Sequence, residues 1–280
     1  MFPEPLTFGP IKIWPMGLAW ALGFVLGLWL AVWRAKRQNV SQSLIVNLFV
    51  ILLFSALAGT KIAFLIFHLP SVISQPVRFL NADMSGSSSL GAITLSILVA
   101  YIYLRKRVEN VWHVLDVVTP SWALIVALGR LGCLTSGCCF GKPTESGIGL
   151  VFPANSPAGI IFPGTPLIPT QLIPTQLLGA TKGFVLMGVS LLIDRVRNFH
   201  GQTFCSVLLL YGLSRFVGDF CRYYEKEMTL FSTGEYSIVV TQLFSLALIA
   251  GALMLFLWVK NCAKPSLEAE GFLASLVLKC

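Results

Sequence analysis

The sequence predicts an all-α polytopic membrane protein, with about seven transmembrane helices and a long outer loop between spans four and five. Three observations carry this. Residues of the AVILMFWYC set make up 56% of the 280, charged residues are only 11%, and mean hydropathy is +0.80; a soluble domain carries about 25% charge. The apolar residues fall in runs near the ~20 residues that cross a bilayer. The basic residues gather at the breaks between those runs, as they do at cytoplasmic helix ends. So few charges cannot cover a water-facing surface, and 20 Phe with 7 Trp exclude a solvated coil.

The first span, Met16 to Trp33, ends at Arg34, Lys36 and Arg37. No basic segment or small-residue cleavage pattern precedes it, so it is read as retained. The next runs are approximately Ser43 to Phe67, Leu90 to Leu104, Trp112 to Leu128, Gly183 to Ile193, Thr203 to Val217 and Tyr236 to Val259. If odd spans run outside to inside, Arg34/Lys36/Arg37, Arg105/Lys106/Arg107, Arg195/Arg197 and Lys260/Lys264 all face the cytoplasm. The N-terminus is then outside and the C-terminus inside. Residues 1–265 form a single transmembrane domain and residues 266–280 a cytoplasmic tail. The outer stretch from Gly129 to Lys182 is rich in Gly, Pro, Ser and Thr, a length that is usually functional or disordered. Within it Ile168 to Leu177 repeats a five-residue unit, a local duplication.

The formal charge of +8 comes from short clusters between apolar runs, which suits membrane topology and anionic lipid; no nucleic-acid partner is expected. Seven Cys lie in unrelated segments, so no disulfide framework follows. Cys133, Cys138 and Cys139 are close in sequence, but their spacing matches no common zinc pattern and no His shares the loop; neither metal nor cofactor is expected.

Ionisable groups within a span are costly, which makes each a functional candidate. Lys61 falls in span two, Asp116 in span four, Arg130 just past its outer end, and Arg215, Asp219 and Arg222 at the outer end of span six. Offsets of four and seven place the last three on one face of a continuing helix. An ion pair that merely holds the bundle is the structural alternative for Arg215 and Asp219, and interfacial snorkelling that for Arg222. Arg130 lies in Gly129 to Gly141, where four Gly supply close backbone approach and exposed N–H groups for an anion. Guanidinium gives planar, bidentate, permanent contacts to phosphate, so two at one depth could hold a phospholipid head group. Of the three His, only His68 is placed to reach an outer site.

At these residues the chain resembles prolipoprotein diacylglyceryl transferase, the bacterial inner-membrane enzyme family that puts diacylglycerol on the lipobox cysteine of lipoprotein precursors. Gly9 to Ile13 with Gly17 and Gly23 resembles the start of the family's first span, and Ala58 to Ile62 its second-span segment. Asp116 with Pro120, then Gly129 to Gly141, is similar to the signature loop, whose essential Arg matches Arg130. Pro169-Thr-Gln-Leu172, or its duplicate Pro174-Thr-Gln-Leu177, resembles His-Pro-x-Gln-Leu. Tyr211 to Arg222 resembles Tyr-Gly-x-x-Arg-Phe-x-x-Glu-x-x-Arg, which makes Arg215 the second essential Arg.

Departures accompany the match. Met84 to Ser89 puts Ser87 where the family has His, Ile168 or Ile173 replaces the His before Pro-x-Gln, and the usual Tyr-Glu after Gln-Leu is absent. The resemblance implies transfer of diacylglycerol from phosphatidylglycerol to the thiol of prolipoprotein signal peptides at the outer leaflet. Arg130 and Arg215 would be catalytic. Arg130, Gly137, Gly141, Gln171, Arg215, Asp219 and Arg222 would bind phosphatidylglycerol. The loss of both His motivates an alternative, a non-catalytic phospholipid-binding paralogue. A small-solute transporter is disfavoured by the lack of inverted repeats or paired broken helices.

Overall fold

A computed structural model describes residues 4–8, 11–67, 89–164, 170–224, 229–233 and 236–263. Its helices are α1 (Pro15–Arg37), α2 (Gln42–Phe67), α3 (Ser89–Arg105), α4 (Val111–Ser136), α5 (Pro157–Ile161), α6 (Thr175–Val196), α7 (Gln202–Asp219) and α8 (Val240–Ala263). Two antiparallel hairpins accompany them, β1 (Leu6–Phe8) with β2 (Ile11–Ile13), and β3 (Thr229–Thr233) with β4 (Tyr236–Val239). Among the described residues, six helices are long and apolar enough to cross a membrane, and α3 is a shorter seventh. The chain is an all-α polytopic membrane protein.

Several boundaries differ from those read off hydropathy. Helix α4 continues eight residues past Leu128 to Ser136, so Arg130 lies within a helix. Helix α6 begins at Thr175, well before Gly183, so Lys182 is also helical. The last helix starts at Val240, because Tyr236–Val239 is spent on β4. In each case polar or small residues continue a helix, or apolar residues end one, where average hydropathy is blind to backbone pairing.

The chain forms two compact units, Val32–Val114 and the remainder. In the first, α2 packs on α3, with the Ser55 hydroxyl donating to Ser96 at 3.2 Å. Asn110 caps the start of α4 by accepting from the His113 N–H at 3.1 Å. Arg37 stacks on Trp33 at 3.8 Å, and Lys61 is exposed.

The second unit holds residues 1–31 and 115–280. Ala123, Leu186 and Val207 make a shared core of α4, α6 and α7, with Met187 and Tyr211 against it. Small residues permit this closeness, since lipid supplies no hydrophobic drive between helices. A Cβ at Gly183 would stand 2.7 Å from the Ala127 Cβ, so α4 and α6 cross nearly backbone to backbone.

Asp116 is fully buried near the start of α4, and it has a structural role. Its carboxylate accepts from the N–H groups of Gly201 at 2.6 Å and Phe204 at 2.8 Å, and pairs with Arg197 at 2.9 Å. Gly201 is the N-cap of α7 and has no side chain to cap with. A carboxylate from a distant helix therefore supplies the cap and meets the positive end of the helix dipole. Asp116→Ala leaves Arg197 and two buried donors without that acceptor and should cost about 3–5 kcal/mol. Thermal unfolding in detergent checks this, with a smaller loss expected for Asp116→Asn.

Candidate functional site

The described residues of the long Gly- and Pro-rich stretch are folded. Helix α4 ends in a Schellman turn in which Gly137, at φ +68°, donates to the Leu134 carbonyl at 3.3 Å and Cys138 donates to Cys133 at 3.2 Å. The next residues form the middle of three backbone segments. Gly141 donates to Ile173 and Ile173 to Lys142, both at 3.0 Å; on the other side Lys142 donates to Cys221 at 3.0 Å and Tyr223 to Phe140 at 3.2 Å. Phe140, Phe152, Ala158 and Leu172 bury themselves beneath, and Tyr223 stacks on Phe140 at 5.7 Å. Helix α5 is capped by Ser156, which accepts from Gly159 at 3.1 Å.

This packing gives Gly137 and Gly141 reasons other than ligand approach. Gly137 needs its left-handed backbone, and a Cβ at Gly141 would stand 2.6 Å from the Ile173 Cβ and 2.8 Å from the Cys221 carbonyl oxygen. Both faces of Gly141 are covered by the protein's own chain.

The duplicated pentapeptide takes two conformations. In the first copy Leu172 pairs with Leu150 through bonds of 2.9 and 3.0 Å, and Gln171 packs on Gly149. In the second, Pro174 precedes the first turn of α6. There Thr175 donates to the Cys139 carbonyl at 2.7 Å, and the fully buried Gln176 donates to the Cys138 carbonyl at 2.8 Å. Gln176 thus grips the turn that follows Arg130, whereas Gln171 stays in the loop's extended strand.

In α7, Arg215 Nε lies 3.1 Å from the Asp219 carboxylate and its Nη2 donates to the Tyr224 hydroxyl at 3.1 Å. That hydroxyl donates to Asp219 at 2.8 Å, closing a triangle. Burial pushes the Tyr224 phenol up, which keeps its proton in place for that bond. Arg222 does not share a helix face with Arg215 and Asp219. The helix ends at Asp219 and is capped by Phe220, and Arg222 pairs with Gly141 as extended chain. The pairing to the loop around Phe140 competes with another helical turn and wins. The guanidinium of Arg222 sits 5.1 Å over the Tyr224 ring, and its buried Nε has no hydrogen-bond partner among the described residues.

Arg130 packs on α6 where that helix lacks a side chain, since a Cβ at Gly179 would lie 3.0 Å from its Cδ. Gly179 is where the family's Glu of Tyr-Glu would follow the second Gln-Leu. One turn on, the half-buried Lys182 points its ammonium at the Tyr211 ring, 5.0 Å from the centroid. Lys182 lies within electrostatic reach of Arg130, Arg215, Arg222 and Asp219 together. Among the described residues, four cations from α4, α6, α7 and the following segment therefore share one neighbourhood with a single carboxylate. Sequence reasoning missed Lys182 because it placed residue 182 at a loop's end. A helix starting at Pro174-Thr175 would have put Gly179 and Lys182 on one face. His68, Ser87 and Ile168 lie outside the described residues.

The same charges reach the thiols of the turn. The Cys139 thiol is held well below the usual range by hydrogen bonds from Cys133 and Cys138 and by the guanidinium groups of Arg222 and Arg130. Cys139 itself has φ +58°, a left-handed backbone uncommon for a residue with a side chain and frequent at functional sites.

Compared with known families, residues 3–258 match prolipoprotein diacylglyceryl transferase. The chain belongs to that family. Among curated relatives, the phosphatidylglycerol–prolipoprotein diacylglyceryl transferase of Clostridium tetani is 29% identical over 214 residues, 76% of this chain and 82% of that protein. The second such transferase of Clostridium perfringens is 28% identical over 214 residues, 76% and 80% of the two chains. That of Wolbachia pipientis is 24% identical over 262 residues, 92% and 95%. The family assignment therefore rests on similarity spread along nearly the whole chain.

Gln176→Leu removes the donor from a part-buried carbonyl at the family's signature turn and should cost about 1–3 kcal/mol. Gln171→Leu should cost less, because the buried Oε1 of Gln171 has no hydrogen-bond partner among the described residues. Paired melting curves of the two variants measure the difference.

Proposed function

We propose that the protein transfers diacylglycerol from phosphatidylglycerol to the lipobox cysteine thiol of prolipoproteins, at the outer leaflet of the bacterial inner membrane. One observation carries the reading: among the described residues, Lys182 has three guanidinium groups, Arg130, Arg215 and Arg222, within electrostatic reach and one carboxylate, Asp219. A charge excess of that size in a membrane protein needs an anion. A phospholipid head group brings one to the right depth, and relatives that bear the donor's name share the fold's sequence.

The arrangement favours the reaction more than the resting lipid. A phosphodiester carries one negative charge, whereas the departing glycerol phosphate gains a second as its bond to carbon breaks. Cations in excess of the diester's charge thus bind the transition state better than the substrate. Asp219 and Tyr224 fix the Arg215 fork, so little reorganisation is needed when the charge grows. Arg130, beside Gly179, keeps its head group for the lipid. The positive field also favours the thiolate of an approaching acceptor.

Orientation follows from the helices' opposite ends. Helices α1, α3, α6 and α8 carry Arg34/Lys36/Arg37, Arg105, Arg195 and Lys260 in their last turns, which supports a cytoplasmic placing of those ends. The cation cluster is then outside, with the N-terminus, and the C-terminus is cytoplasmic. The expected tail at 266–280 lies outside the described residues.

Arg130→Ala and Arg215→Ala should each lower the transfer rate by about 10²–10³-fold, the loss seen when one preorganised donor is removed. Lys182→Met should lower it by at least about tenfold, through loss of transition-state charge stabilisation. The assay is mass spectrometry of a lipobox peptide incubated with purified protein and phosphatidylglycerol. Unchanged rates in both Arg variants would sink the proposal. Retention of phosphatidylglycerol without a lipidated product would show the non-catalytic paralogue instead.

A further inference from the structure

The turn after Arg130 gathers three thiols that the phosphate chemistry does not use. The sulfur atoms of Cys133, Cys138 and Cys139 all lie within 4.8 Å of one another. Cys133 comes from the last turns of α4. The left-handed residues Gly137 and Cys139 then fold the chain back so that two consecutive cysteines face it. Thr175 and Gln176 hold the carbonyls of Cys139 and Cys138 in that conformation. Ser136 donates to the Cys138 sulfur at 3.2 Å. In a tetrahedral zinc site with Zn–S near 2.3 Å, sulfurs stand about 3.8 Å apart, a spacing these side chains reach by small rotations.

We propose that Cys133, Cys138 and Cys139 bind zinc through three thiolates and present its fourth position to the acceptor thiol. The proposal rests on the transferase reading above. The ligand set is all sulfur, which selects a soft cation over magnesium or calcium. Three ligands with an open place is the composition of catalytic rather than structural zinc sites. Charge agrees as well. Zinc with three thiolates is a net anion, and two arginines stand beside the turn that would hold it: Arg130 lies three residues before Cys133 in α4, and Arg222 pairs with Gly141, two residues after Cys139. On the transferase reading the same two arginines grip the phosphate, so a zinc-bound thiol would lie next to the lipid.

A metal would also supply what this sequence lacks at Ser87 and at Ile168 or Ile173. Coordination deprotonates a thiol outright, without a His base. The acceptor releases its proton to water as it binds zinc. Its sulfur lone pair forms the S–C bond to the glycerol carbon, the C–O bond to phosphate breaks with its electron pair, and glycerol phosphate leaves towards Arg130, Arg215 and Lys182. The neutral thioether then leaves the metal, and no oxidation state changes.

The test uses the purified full-length protein, reduced, stripped of metal and titrated with cobalt(II). The expected result is one cobalt per chain with sulfur-to-cobalt charge-transfer absorption. A lipobox peptide with a free thiol should raise that absorption by about one third as a fourth thiolate binds. The same peptide with Ser for Cys should not. Cys138→Ser and Cys139→Ser should each lose tight binding, while Cys262→Ser keeps it. Absence of stoichiometric cobalt in the unmutated protein overturns the site regardless of whether the variants fold. Cobalt bands that ignore the thiol peptide overturn the acceptor role. Product formed at full rate by metal-free protein overturns the zinc proposal and leaves the transferase standing. A thiol-responsive cobalt site with no lipidated product in the zinc protein overturns the transferase reading, and with it the proposed step.

Discussion

An excess of positive charge among the described residues is the constraint around which one end of the larger unit is built. Arg130, Lys182, Arg215 and Arg222 repel one another in surroundings that screen charge poorly. Only a frame fixed by other forces can keep them together. That frame consists of the three backbone segments around Gly141, the aromatic packing under Phe140 and the close crossing of α4 and α6 at Gly183. Each cation arrives on a different part of it, and Asp219 with Tyr224 fixes the aim of one. Folding stability elsewhere thus maintains a locally unfavourable arrangement, as is common where a protein must bind charge.

Among the described residues, the larger unit buries two carboxylates, Asp116 and Asp219, which show how differently one residue type can be used. Asp116 is saturated by two backbone donors and Arg197, and it ties the start of α7 to α4. Asp219 keeps one oxygen without a hydrogen-bond partner among the described residues, and its other oxygen takes Arg215 and Tyr224. Complete pairing marks the first as architecture; incomplete pairing sets the second apart from it. From hydropathy alone both were simply charges in an apolar run.

The fold class was legible because hydrophobic length and basic clustering are properties of single segments, read one at a time. Arg130 and Arg215 stood out as candidates because they stand in recognisable local motifs. What escaped the sequence depended on long-range pairing. The helical offset from Arg215 to Arg222 suggested one face, but the backbone of Arg222 pairs with Gly141, some eighty positions earlier. Lys182 was hidden because the start of α6 is set by Thr175 and Gln176 gripping the turn at Cys138 and Cys139, not by hydropathy. The three cysteines looked unlike a ligand set in spacing, and only the left-handed backbone at Gly137 and Cys139 draws their sulfurs together.

The twin pentapeptides have a bearing on how relatives are aligned. Thr170 to Leu172 is extended and Thr175 to Leu177 is helical, although the letters are the same. An alignment that anchors the motif on the earlier copy and one that anchors it on the later copy differ by five positions, so the placing of a single gap decides which family columns Gly179 and Lys182 are compared with.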